Sequence, residues 1–99
     1  PREIATIPVG YADGFARSLS NGVGHVFIRG HRVPVVGVVC MDMFMVDVTG
    51  LNYQKGDRVE WFGPTQSLYE VAAEMETIPY EVLTGLSPRI KRLYVRADH

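Results

Sequence analysis

The chain has 99 residues, 46% hydrophobic and 21% charged, enough to bury one apolar core and too few for two. A formal net charge of -1 lacks the surplus of Lys and Arg on which general nucleic-acid binding depends. A single cysteine, Cys40, excludes an intrachain disulfide, and His25, His31 and His99 lack the paired spacing of a zinc site.

No leader pattern of charged and apolar regions opens the chain, and no apolar run reaches bilayer-spanning length. The chain therefore reads as soluble and cytoplasmic, with no membrane partner. Residues 4–9 form the first expected strand, and the turn-rich stretch 10–22 reads as a long loop carrying exposed side chains. A second strand over 24–29 turns at Gly30-His31, where glycine tolerates positive φ, and returns over 32–39. Pro34 places the start of that return at an edge or bulge.

Over 43–49, Met43, Met45 and Asp47 alternate with Phe44, Val46 and Val48, the period of a half-buried strand. After a loop at 50–56, a further strand is expected over 57–62, ending at the turn Gly63-Pro64. Ser67-Leu68-Tyr69-Glu70 fits a capping box, and Leu68, Val71, Ala72 and Met75 follow as one helical stripe. A second short helix can start at Pro79 and end before Gly85, with a last strand over 90–95. Arg89, Lys91, Arg92 and Arg96 read as charges that keep an edge strand solvated, with a phosphate-binding stripe as the alternative. This order lacks repeated βαβ units, so the expected fold is mainly β: a small antiparallel barrel with one or two short helices in one crossover.

Few residues offer chemistry by themselves. There is no phosphate-binding glycine loop, nucleophile elbow or metalloprotease helix motif. Asp13, Asp42 and Asp47 fit solvated or turn-capping places, and Cys40, with no base nearby in sequence, fits a partly buried apolar one. Two segments lack a packing rationale: the aromatic and acidic loop Gly10-Tyr11-Ala12-Asp13-Gly14 and the junction Cys40-Met41-Asp42-Met43.

Ile7-Pro8-Val9-Gly10-Tyr11-Ala12-Asp13-Gly14, followed by Val36-Gly37-Val38-Val39-Cys40-Met41-Asp42-Met43, resembles the pattern of the alanine racemase C-terminal domain. Asp47-Val48, Gly56-Asp57-Arg58-Val59 and Tyr80-Glu81-Val82-Leu83-Thr84 fall in the matching order, so the resemblance spans nearly the whole chain. It implies a closed Greek-key β-barrel over residues 1–99, part of a homodimeric enzyme that uses pyridoxal phosphate to interconvert L- and D-alanine. In such an enzyme each active site lies between one subunit's α/β barrel and the other's β-domain. The cofactor lysine and the catalytic tyrosine motif belong to segments absent from this chain. The resemblance thus places no catalytic, cofactor-binding or metal-binding residue here and expects no cofactor on the chain alone.

The resemblance makes Tyr11 the substrate gate and Met41 the residue whose backbone amide holds the substrate carboxylate, with Asp42 beside it near the corridor. At Ser87-Pro88-Arg89 the pattern loosens: some members carry a tyrosine that bonds the cofactor phosphate where this chain has Pro88. A second reading from another class is a non-catalytic β-barrel interaction or regulatory module. A single-strand nucleic-acid binder would need aromatics interleaved with basic residues, which Tyr53, Trp61 and Tyr69 do not supply.

Overall fold

The computed structural model describes residues 2–62, 66–77, 82, 85–86 and 95. Five strands form one antiparallel sheet: β1 (Ile4–Ile7), β2 (His25–Ile28), β3 (His31–Val36), β4 (Phe44–Asp47) and β5 (Val59–Glu60). Their spatial order is β1-β4-β3-β2-β5. Three consecutive strands with the first returned beside the last make a Greek key. The sheet curls into a half-barrel, against which packs helix α1 (Leu68–Glu74). Val95 extends the pairing beyond the turn before β5: its carbonyl accepts from Gly56 N–H at 3.0 Å and its amide donates to Asp57 O at 2.9 Å. The rest of the expected last strand, and the second helix apart from Val82, lie outside the described residues.

Alternation decides which faces point inward. Phe44, Val46 and Val48 are buried while Met45 and Asp47 are only half-buried, as the period of two requires. The β2–β3 turn differs from expectation by one residue. It is centred on Arg29 (φ 53°) and Gly30 (φ 78°), with Ile28 opposite His31. Positive φ at both central residues is the type I′ geometry, whose twist matches that of the flanking strands. Arg29 tolerates this backbone while its guanidinium pairs with Asp57 at 2.9 Å.

Strand β3 lies inside the sheet, not at its edge. Val35 N–H donates to Gly24 O at 3.0 Å, so the alternating ladder turns the nitrogen of Pro34 away from β2. It faces the side on which β4 registers only from Val35 onward, and the missing donor breaks no bond. The strand ends at Val36, before the positive φ of Gly37, three residues earlier than the sequence pattern suggests.

Helix α1 begins where the capping box places it. Ser67 Oγ accepts from Glu70 N–H at 3.1 Å, and Glu70 Oε1 accepts from Ser67 N–H at 3.3 Å. Val71 and Ala72 enter the core, with Leu68 and Met75 packed at its margin. Glu74 reaches His25 on β2 at 2.9 Å, and buried Gln66 donates to the carbonyls of Trp61 and His25, so the helix is tied to the sheet. Ser67→Ala is expected to lower stability by about 1 kcal/mol, the usual effect of removing an N-cap oxygen. Denaturant melts of both forms check this, and an unchanged midpoint would contradict the cap.

The Asp57 carboxyl is held below its ordinary value of 3.8, first by the Arg29 hydrogen bond and then by Gln54 N–H. A lowered carboxyl pKa contributes stability above the ordinary value and loses it as pH falls through the folded-state value. Asp57→Asn should therefore flatten the acid limb of the melting curve below pH 3.8. An acid limb identical to that of the unaltered protein would remove Asp57 as its source.

Candidate functional site

The register places the ends of β1, β3 and β4 together, since Ile7 opposes Phe44 and Val36 opposes Met45. The loop after β1 and the segment between β3 and β4 meet at this end. Tyr11 N–H donates to Cys40 O and Ala12 N–H to Met41 O, each at 3.0 Å. Farther along, Ser20 Oγ accepts from Val39 N–H at 2.8 Å and Asn21 N–H donates to Gly37 O at 2.8 Å. Residues 10–21 are thus fastened along residues 37–41 at four points.

Gly10 is required by this approach. A Cβ there would overlap the Cys40 oxygen and come within 2.7 Å of Met41 C and O. Gly14 closes the other side of the turn at φ 105°, where a Cβ would meet Gly85 O at 2.7 Å. Between them Tyr11–Asp13 makes one 3-10 turn. Below it Phe15 is fully buried, stacked on Phe44 with centroids 4.0 Å apart and tilted against Trp61 at 4.8 Å. The two segments with no evident packing role in the sequence are therefore the roof of an aromatic core.

The clasp sets the direction of specific amides. A trans peptide holds its C=O and N–H on opposite sides of one plane, and no described peptide is cis. With the Cys40 oxygen pinned toward Tyr11, the Met41 N–H points away from the loop. Pinning the Met41 oxygen does the same for the Asp42 N–H. Among the described residues no acceptor meets either amide. A hydrogen bond accepted at a carbonyl also polarises the N–H across the same peptide. The junction thus offers fixed donors suited to an anion such as a carboxylate.

Around these donors the side chains are open. Met41 is 56% and Tyr11 45% exposed, and Arg17 sits 5.8 Å above the Tyr11 ring. Asp42 is exposed. Cys40 is exposed too, contrary to the partly buried place expected for it, because Val39 takes the inward position next to it. The structure brings Tyr11, Met41 and Asp42 to one end of the sheet through the clasp. Sequence reasoning gave no weight to Phe15 or Ser20, and took Asp13 for a solvated or turn-capping residue; it caps its own turn but is buried. An acid three residues after Gly10 is the capping-box spacing that could have revealed it.

Among the described residues no cluster of His, Cys, Asp or Glu could hold a metal ion, and no helix is long and apolar enough to cross a membrane. Lys55, the one described lysine, precedes β5 at the opposite end of the sheet, where Ile28 pairs with Val59. Among the described residues, no lysine lies beside Tyr11 and Met41. Ser87-Pro88-Arg89 lies outside the described residues.

The clasped end of the curled Greek-key sheet thus presents an open tyrosine, outward amides and the exposed side chains of Cys40 and Asp42. The family model of the alanine racemase C-terminal domain matches residues 1–94, and the chain belongs to that family. An alanine racemase of Salmonella typhi is 48% identical over 98 residues, covering 99% of this chain and 26% of its own length. One from Deinococcus deserti is 51% identical over 98 residues, covering 96% and 28%. The chain thus spans about a quarter of the curated relatives it matches. Among solved structures, alanine racemase from Bartonella henselae with covalently bound pyridoxal phosphate superposes with a TM-score of 0.83. It is 48% identical, over 90% of this chain and 25% of that one. The Bacillus anthracis enzyme with bound L-Ala-P has a TM-score of 0.79 and 39% identity, over 87% and 22%.

Proposed function

We propose that residues 1–99 act as the C-terminal domain of a cytoplasmic, pyridoxal-phosphate-dependent alanine racemase that interconverts L- and D-alanine. The observation that carries this reading is the clasp, which turns the Met41 amide outward beside Tyr11 in a member of this family. The reading places the clasped end against the α/β barrel of the partner subunit in a homodimer. When bound there, the cofactor supplies the electron sink that makes the α-hydrogen of alanine acidic. The reading assigns the cofactor's pocket and the proton-transferring groups to other segments of the enzyme.

What this chain contributes is orientation and access. The Met41 N–H donates to the substrate carboxylate and helps hold the substrate so that its α-hydrogen faces an acid/base group. Tyr11, held at its own main chain and covered by Arg17, narrows the way in. Asp42 lines the same approach. The 99-residue chain alone is expected neither to retain pyridoxal phosphate through dialysis nor to racemise alanine, while a racemase carrying this domain does both. Retention with turnover by the chain alone would overturn the reading.

Tyr11→Ala in that racemase is expected to raise KM for alanine and admit bulkier amino acids, with less effect on the chemical step. Steady-state and single-turnover kinetics separate the two. Loss of proton exchange with normal substrate binding would make Tyr11 a proton carrier instead of a gate.

A further inference from the structure

Asp13 is 4% exposed, an unusual place for an acid in a surface turn. Its Oδ2 accepts from Gly10 N–H at 3.2 Å, while its own N–H donates to Gly10 O at 2.9 Å. These two bonds close a ring around Tyr11 and Ala12, the residues whose amides grip Cys40 and Met41. A cap needs no acid, since Ser67 does the equivalent for α1 with a hydroxyl. A buried carboxylate makes a stronger, charge-assisted bond than a hydroxyl does, and so holds the turn more firmly.

We propose that Asp13 is a positioning residue for the substrate carboxylate. Through Gly10 it fixes the pitch of the turn, and through the Tyr11 and Ala12 amides it holds the Cys40–Met41 peptide plane, and with it the direction of the Met41 N–H. The space between Gly10 and residues 40 and 41 has no room even for a Cβ, so a shift of the turn toward them displaces that peptide plane. This role rests on the racemase reading.

The test uses the cofactor-loaded racemase carrying this domain, with propionate, which is alanine without its amino group, as a competitive probe of carboxylate binding. Asp13→Ala is expected to raise the propionate inhibition constant and the alanine KM about tenfold, with kcat changed less, the scale of one charge-assisted hydrogen bond. Asp13→Asn keeps an acceptor without the charge and should fall between, at about threefold. Melting temperature and dimer mass are followed in parallel.

An unchanged propionate constant in Asp13→Ala, with lower melting temperature or kcat, would mean a purely structural residue and overturn the proposal. So would an Asn variant as damaged as the Ala variant. Should Asp13→Ala fail to fold, Asp13→Asn decides alone: weaker propionate binding at unaltered melting supports the role, and native binding overturns it. Failure of the racemase reading shows separately, in unaltered protein that neither racemises alanine nor binds propionate.

Discussion

Gly10→Ala is expected to destabilise the domain by about 3 kcal/mol or more, at the upper end of what forced overpacking does. The added methyl would enter the space of the Cys40 carbonyl and stand 2.7 Å from Met41 C and O. These are backbone atoms, which cannot rotate aside as a long side chain can. Relief requires the turn to leave residues 40 and 41, which breaks the Tyr11 and Ala12 hydrogen bonds and loosens Phe15 from Phe44 and Trp61. Denaturant melts measure the loss. A variant that melts with the parent would show that the two loops are not in contact.

The second large effect falls on activity. In a racemase carrying this domain, Met41→Pro should lose roughly ten- to a hundredfold in kcat/KM for alanine, because on the proposed reading it removes a donor to the substrate carboxylate. Met41→Leu keeps the amide and nearly the volume, so its activity should stay within about tenfold of the parent. The side chain is 56% exposed and makes little of the core, which is why the comparison isolates the main chain. Proline at a junction can also disturb it, so circular dichroism and dimer mass must match before the loss is assigned to the amide. Leucine as damaging as proline in folded enzyme would make the thioether the working group.

Strands with one wet and one dry face announce themselves by alternation, and β4 lies where Phe44, Val46 and Val48 place it. The capping box at Ser67 is equally local, and α1 starts there. Local pattern fails where the outcome depends on a distant partner. Pro34 is a sign of an edge only if the neighbouring strand runs its whole length, and β4 does not. Arg29, which takes positive φ in the β2–β3 turn, pairs with Asp57, twenty-eight residues away. The clasp is the extreme case: Gly10 and Cys40 lie thirty positions apart, and only the return of β1 beside β4 makes them neighbours. For that reason the roles of Tyr11, Met41 and Asp42 came from family resemblance, whereas the burial of Asp13 came from the structure.

At residues 11, 12, 40 and 41 the grip between the two loops is made by amides and carbonyls, while the side chains of Tyr11, Ala12, Cys40, Met41 and Asp42 are exposed. The bonds that shape this end and the side chains it exposes are therefore separate atoms. A combinatorial library confined to these five positions, proline excluded, should return mostly folded proteins, because none of its substitutions touches the bonds that hold the loops together. Screened with amino acids larger than alanine, it offers a route to altered substrate range that leaves Gly10, Asp13 and Phe15 alone. Evolution has the same freedom: one scaffold can explore many entrances without first having to relearn how to fold.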